Sequence, residues 1–123
     1  MLSKQTLVAF VATADAARAR AFYQETLGLT LVSNDPYALV FDANGTTMRV
    51  QKVDGFQPQP FTALGWTVDD IHAVVAALNR KGVFCERFPG LDQDEFGVWA
   101  SASGARVAWF KDPDGNLLSL TEF

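Results

Sequence analysis

Runs of apolar residues, separated by short polar stretches, indicate the first secondary-structure elements of the chain. Residues 6–12, TLVAFVA, are apolar and β-branched, which predicts a strand. Asp15 follows as a helix N-cap, and Gly28 closes the helical pattern after the segment AARARAFYQETL. Phe22 and Tyr23 belong to the apolar face of that helix. The N-terminal part is therefore predicted as a strand followed by a helix.

The same order returns in the second half. Residues 62–68, TALGWTV, predict a strand, Asp69 or Asp70 can cap a helix, and Gly82 can end it. The apolar positions of this helix follow the i, i+3, i+4, i+7 spacing, at Ile71, Val74, Val75 and Leu78. The first aspartate and the closing glycine are 13 residues apart in both halves. The chain thus contains an internal repeat.

Hairpin signals complete both repeats. The stretches 42–45, DANG, and 112–115, DPDG, are each followed by a strand-like segment, TTMRVQKV and NLLSLTEF. Each half is therefore predicted as βαβββ, in an α+β fold of one domain, 1–123, built from module 1–57 and module 58–123. The second half is longer because of a loop insertion near 89–104, and long loops are usually functional or mobile.

The composition of the chain disfavours some kinds of binding partner. The chain has 123 residues, 49% of them hydrophobic, and a net charge of −4. This acidic balance argues against nucleic acid, which requires a basic surface. The N-terminus is too short and polar for a signal or a membrane span, so a cytoplasmic protein without membrane contact is expected. A single cysteine, Cys85, excludes an internal disulfide.

The strands divide into two faces. In TTMRVQ, Met48 and Val50 oppose a polar set, and in NLLSLTEF, Leu118 and Leu120 oppose Ser119 and Thr121. The polar set of the first segment comprises Thr47, Arg49 and Gln51. The apolar side is predicted to meet the helices, which leaves the polar side as either a solvated face or the wall of a ligand cleft. Phe10, in a strand that is apolar on both sides, favours the cleft.

These features together resemble the vicinal oxygen chelate superfamily, which includes glyoxalase I, bleomycin-resistance proteins and extradiol dioxygenases. The resemblance covers nearly the whole chain. It rests on Asp15 with Phe22-Tyr23, Thr26-Leu-Gly-Leu29, Val68-Asp-Asp70, Gly82-Val83, and above all Phe110-Lys-Asp-Pro-Asp-Gly-Asn116. It implies two βαβββ modules that form a curved mixed sheet around a cleft, and a homodimer.

The resemblance also implies where a divalent metal would be held. Metal-dependent members carry His, Gln or Glu ligands on strand positions that here correspond to Val8, Arg49, Ala63 and Ser119. Alkyl side chains do not coordinate a metal, and an arginine cation opposes one. The expectation is a protein without a metal cofactor.

Two functions remain in competition. The first is a metal-free cleft that sequesters or senses a small molecule, with Phe10, Trp99 and Trp109 as aromatic walls and Arg49 as an anchor for a carboxylate or phosphate. Its hydrogen-bonding residues would be Thr47, Gln51, Ser119 and Thr121. The acidic insertion with Phe96 and Trp99 instead suggests a cationic aromatic ligand.

The second is an enzyme, either a metal-dependent lyase, isomerase or dioxygenase with unusual ligands from Asp92, Asp94, Glu95 or Glu122, or one that works through acid and base residues without a metal. No nucleophile and base stand at a recognisable spacing, so the residues favour binding over catalysis. A partner-binding module is a third possibility. His72 is expected at the surface, and Asp112 and Asp114 in a structural turn.

Overall fold

The structure, a computed structural model, describes all 123 residues. The chain separates into two compact units, residues 1–57 and 58–123. The first contains the strands β1 (Val8–Thr13), β2 (Thr30–Asn34), β3 (Ala38–Ala43) and β4 (Thr46–Lys52) and the helix α1 (Ala16–Arg20). Its sheet has the order β1-β4-β3-β2, in which β1 and β4 are parallel and the other pairs antiparallel.

The first helix changes its winding halfway along. Asp15 caps α1 by accepting a hydrogen bond from the N–H of Arg18 at 3.1 Å. From Ala21 to Thr26 the helix continues as a π-helix, whose wider turn is closed by the i→i+5 bond from Leu27 N–H to Phe22 O. Phe22 and Tyr23 are both buried in this stretch, with their rings edge to face at 5.2 Å. The helical signal in the sequence did not distinguish this winding.

The second unit repeats the plan with different lengths. It contains β5 (Thr62–Thr67), α2 (Ile71–Arg80), β6 (Trp99–Ala100), β7 (Arg106–Lys111) and β8 (Leu117–Glu122). Its sheet has the order β5-β8-β7-β6, again with the first pair parallel and the others antiparallel. The predicted α+β class and the two-module plan are confirmed, as two four-stranded mixed sheets with few helices.

Both predicted turns form as hydrogen-bonded structures. Asn44 and Gly45 have φ of 51° and 91°, the left-handed conformations that a two-residue hairpin needs. In the other turn, the buried Asp112 accepts hydrogen bonds from the N–H groups of Asp114 and Asn116 and from the Asn116 side chain. Asp112 therefore shapes a structural turn, as the sequence predicts.

A long irregular segment, residues 83–98, links α2 to β6. The range 89–104 predicted as an insertion overlaps it and also contains β6, in which Trp99 and Ala100 pair with Val107 and Arg106. A strand of two residues is too short to produce readable alternation. We call residues 83–98 the connecting segment.

Helix α2 begins where two carboxylates satisfy its free N–H groups. Asp70, the second of the two predicted caps, accepts a hydrogen bond from the N–H of Ala73. Glu122 Oε1, at the end of β8, accepts one from the N–H of Ile71 at 2.9 Å. Glu122 also forms an ion pair with Arg106 at 3.7 Å. The first turn of the helix is thereby attached to the far end of the chain.

No helix in the structure combines the length and the apolar character that crossing a bilayer requires.

Helix α2 is amphipathic and packs against the sheet of the second module. In α2, the buried residues Ile71, Val75 and Leu78 face the sheet, whose opposing residues include Ala108, Phe110, Leu118 and Leu120. The second module thus buries one face of its sheet under its own helix. In the first module, the buried Tyr23 of the helical segment meets Phe41 of β3, with ring centroids 6.0 Å apart.

The contact between Glu122 and Ile71 gives a first prediction. Glu122→Ala removes a charged hydrogen-bond acceptor from a helix start and leaves Arg106 unpaired, so the free energy of unfolding should fall by about 1–2 kcal/mol. Urea unfolding at neutral pH measures this. Glu95→Gln is the control, because the Glu95 side chain is exposed and no hydrogen bond or ion pair uses it. An equal effect of both substitutions would contradict the assignment.

Candidate functional site

Four of the predicted binding residues lie together on the first sheet. Parallel pairing sets Phe10 beside Arg49, and the neighbouring pairs bring Val8 beside Thr47 and Ala12 beside Gln51. These side chains point away from the buried Met48 and Val50 of the same strand. We call the residues Val8, Phe10, Thr47, Arg49 and Gln51 the helix-distal face of the first sheet. Phe10 is 55% exposed there.

The other four predicted residues lie together on the second sheet. Trp109 pairs with Ser119, and Ser119 pairs with Gly65 on its other side. One row along, Trp99 pairs with Val107, which pairs with Thr121. We call Gly65, Trp99, Trp109, Ser119 and Thr121 the helix-distal face of the second sheet.

An aromatic cluster dominates that face. The rings of Trp99 and Trp109 are 6.2 Å apart at an interplanar angle of 33°, and Phe88 meets Trp109 edge to face at 5.3 Å. All three side chains are half-buried. Trp66, by contrast, stacks on the buried Phe110 of the opposite face. Two of the three tryptophans are therefore grouped beside the hydroxyls of Ser119 and Thr121.

Ser119 requires a glycine as its neighbour at position 65. Its hydroxyl oxygen occupies the space in which a side chain on Gly65 would begin. Glycine and serine together leave the row beside Trp109 without a bulky group.

The positions implied for a metal do not fit one. They carry the alkyl groups of Val8 and Ala63, the guanidinium of Arg49 and the hydroxyl of Ser119, a set without an imidazole or carboxylate donor. The structure contains no group of three or more His, Cys, Asp or Glu side chains arranged to hold an ion. Of the alternative donors, Asp94 and Glu122 already accept hydrogen bonds within the protein.

The sequence did not reveal a pair formed by His72 and Asp94. His72 Nε2 lies 2.8 Å from Asp94 Oδ2, and the imidazole also meets Phe96 edge to face at 5.9 Å. His72 was expected at the surface. Its side chain is 39% exposed, and it also contacts Asp94 of the connecting segment. No spacing rule links residues that come together through irregular structure.

The pair borders a pocket of about 310 Å³ in the second module. Its other lining residues are Asp92, Val98, Ala100 and Arg106. Arg106 is already paired with Glu122, and no hydrogen bond or ion pair uses the Asp92 side chain. Of the acidic residues that suggested a cationic ligand, Asp92 and Asp94 line this pocket.

Asp94 organises the connecting segment around itself. Its Oδ1 accepts hydrogen bonds from the N–H groups of Phe96 and Val98, and Arg87 donates to the carbonyl oxygens of Asp94 and Glu95. Burial raises the pKa of Asp94, but the hydrogen bonds from His72, Val98 and Phe96 outweigh it and hold the pKa below its ordinary value. The carboxylate is thus the form that the fold stabilises.

Comparison with known proteins identifies a family and proteins of similar sequence and fold. A sequence model of the Glyoxalase/Bleomycin resistance protein/Dioxygenase superfamily matches residues 5–120. The uncharacterized protein YraH of Bacillus subtilis is 30% identical, over 80% of this chain and 83% of its own. The crystal structure of a superfamily member from Sphaerobacter thermophilus shares 25% identity and a TM-score of 0.77, with 100% of both chains covered.

A further solved structure is similar in fold alone. Lactoylglutathione lyase from Agrobacterium tumefaciens has a TM-score of 0.76 at 16% identity, covering 99% of this chain and 96% of its own. At that identity, the likeness concerns the backbone and does not carry over the activity in the name of that protein.

The hydrogen bonds of Asp94 predict how stability depends on pH. A carboxyl whose pKa is lowered by folding adds stability above its unfolded value, near pH 4, and this contribution disappears as the pH falls through the folded pKa. Asp94→Asn should therefore destabilise the protein near neutrality, and its difference from the natural chain should shrink in acid. Urea midpoints measured from about pH 7 to pH 3 test this.

Asp92→Asn is the matched control. It removes the same charge from the same segment and pocket, but Asp92 accepts no hydrogen bond within the protein. If both variants lost stability equally at every pH, the network around Asp94 would not be the cause.

Proposed function

The chain belongs to the Glyoxalase/Bleomycin resistance protein/Dioxygenase superfamily, and we propose that it is a small-molecule-binding member that sequesters or senses its ligand without a metal ion. Each module offers its own candidate ligand surface, the helix-distal face of its sheet. The residues of the two faces are Phe10, Thr47, Arg49, Gln51, Trp99, Trp109, Ser119 and Thr121, together with Val8 and Gly65.

The observation that carries the proposal is the grouping of Trp99 and Trp109 next to small, hydroxylated neighbours. Aromatic rings that are only half-buried retain apolar area for a ligand, and a stacked ring adds about 0.5–1.5 kcal/mol beyond that area. The hydroxyls of Ser119 and Thr121 can fix the orientation of polar atoms at its rim. Apolar walls with a few polar groups are typical of small-molecule sites.

The metal-free part of the proposal rests on the donor set. A bound divalent ion needs nitrogen or carboxylate ligands, and the four corresponding positions offer one hydroxyl and one cation. The guanidinium of Arg49 would repel the ion electrostatically.

The alternative is a metal-dependent lyase, isomerase or dioxygenase of the same superfamily. It would need donors outside the four corresponding positions, and His72 with Asp94 is the pair that best supports it. An imidazole oriented by a carboxylate is also a common general base, so this pair would support acid and base chemistry in the neighbouring pocket.

The remaining parts of the proposal concern assembly and location. We expect a homodimer in the cytoplasm with no membrane partner. We also expect no nucleic-acid partner, because the net charge of −4 disfavours binding to a polyanion. Sedimentation equilibrium of the purified chain tests the dimer, and a monomer at all concentrations would remove that part of the proposal.

Tryptophan variants test the aromatic surface. Naphthol, naphthoate and aminomethylnaphthalene, matched in shape but not in charge, serve as calorimetric probes. Replacing Trp109 by Phe should weaken binding of the best probe by about threefold to tenfold, because stacking area and ring contact are lost. Trp66→Phe is the control, because Trp66 stacks on Phe110 at the opposite face. Equal losses in both variants, or no binding of any probe, would contradict the proposed surface.

Metal retention separates the two functions. After incubation with Ni²⁺, Zn²⁺, Mn²⁺ or anaerobic Fe²⁺ and desalting, the protein should hold far less than one ion per chain by mass spectrometry, since its donor set is deficient. Stoichiometric retention would favour the enzyme. Loss of that retention in His72→Ala would then locate the ion at the pocket.

A further inference from the structure

Arg49 has an unusual position for a charged residue. Its side chain is 34% exposed on the helix-distal face of the first sheet, and no hydrogen bond satisfies the guanidinium. Its single ion pair, from NH2 to Asp35 Oδ2, is long at 3.9 Å. A guanidinium presents five donors in a planar fork that matches a carboxylate. Most of this donor capacity is unused.

Asp35 does not depend on Arg49. Its Oδ1 accepts hydrogen bonds from the N–H groups of Tyr37 and Ala38 at 2.7 and 2.9 Å. These backbone bonds are the main cause of its lowered pKa, ahead of the charge of Arg49. Lys52 braces the same turn by donating to Asn34 Oδ1 and to the carbonyl oxygen of Asp35. A ligand could therefore engage Arg49 without dismantling the turn.

The surroundings of Arg49 indicate what kind of anion fits. Its lateral neighbours are Phe10, which is 55% exposed, and Val40 on the other side. The adjacent row contains Thr47 and Asp42, whose carboxylate accepts a bond from Gly45 N–H. The carboxylates of Asp35 and Asp42 thus balance the charges of Arg49 and Lys52 in this part of the sheet, which leaves no surplus positive charge. This balance disfavours a multiply charged ligand such as a phosphate dianion, whereas a single negative charge beside an apolar group is compatible with Phe10.

We propose that Arg49 and Phe10 form a subsite for a monoanionic carboxylate that carries an apolar or aromatic group. The carboxylate accepts hydrogen bonds from the guanidinium, and the apolar part covers the Phe10 ring. This inference deepens the proposed function by naming a ligand class for the first module, and it rests on that function. A charge-assisted hydrogen bond of this kind is stronger than a neutral one.

The test compares acids with their neutral amides on the full chain. The probes are naphthoate with naphthamide, phenylacetate with phenylacetamide, and octanoate with octanamide, and dissociation constants come from titrations of ¹⁵N-labelled protein by nuclear magnetic resonance. We expect at least one acid to bind about tenfold or more tightly than its amide. The largest shifts should fall on the amides of Phe10, Thr47 and Arg49.

Variants assign the preference to the side chain. Arg49→Gln should abolish the difference between acid and amide, and Arg49→Lys should retain part of it as a point charge without the fork. Arg18→Gln is the control, because it removes the same charge from an exposed helix position in the same module. Phe10→Ala should weaken acid and amide together and leave their ratio unchanged. The amide spectrum of each variant verifies that it is folded.

The outcomes separate this inference from the proposed function. Acids and amides that bind equally, or an acid preference that survives Arg49→Gln, would overturn the carboxylate subsite and leave small-molecule binding intact. Binding of none of the acids, amides or naphthalene probes would overturn both. A phosphate ester that binds more tightly than every carboxylate would overturn the assigned class.

Discussion

Each sheet packs its module's helix against one face, and the strand alternation follows from that constraint. Met48 and Val50 in β4, and Leu118 and Leu120 in β8, are buried against the helical side. Because successive strand residues point to opposite faces, the residues between them must emerge on the other side. Arg49 and Ser119 are positioned in this way, so the geometry of the candidate surface is fixed by core packing.

The second module shows how an irregular segment can acquire a defined shape. Gln93 donates to the carbonyl oxygens of Glu86 and Gly97 and accepts from the N–H of Phe88, while Asp94 holds the next turn. Glu86 N–H also bonds to Trp109 O, which brings Phe88 against the Trp109 ring. The side chains of Gln93 and Asp94 therefore provide the hydrogen bonds that a β-ladder would otherwise supply to this segment. The position of Phe88 in the aromatic cluster depends on these bonds.

What could be predicted from the sequence was local or periodic. The caps at Asp15 and Asp70, the hairpin at Asn44-Gly45 and the alternation in β4 and β8 each depend on a few neighbouring residues, so a pattern reveals them. The repeat then implied the two-module fold, and alternation assigned the polar residues of β4 and β8 to one face of each strand, namely Thr47, Arg49, Gln51, Ser119 and Thr121.

The contacts that escaped prediction join distant residues. His72 and Asp94 are 22 positions apart and meet through the connecting segment, and Glu122 reaches Ile71 across 51 positions. β6 has only two residues, which is too short for an alternating pattern. The π-helix has six residues, and over that length its apolar spacing cannot be distinguished from that of an α-helix. Such features depend on tertiary packing, which no local pattern records.

The four positions that correspond to metal ligands also show why one substitution would not create a metal site. A carboxylate in place of Ser119 would require room beside Gly65, which the glycine provides. It would still lack partners, because Val8 and Ala63 offer no lone pairs and Arg49 brings a positive charge. The charge of Arg49 and the missing donors both disfavour a bound cation. Restoring a metal-binding donor set would therefore require changes at several positions at once.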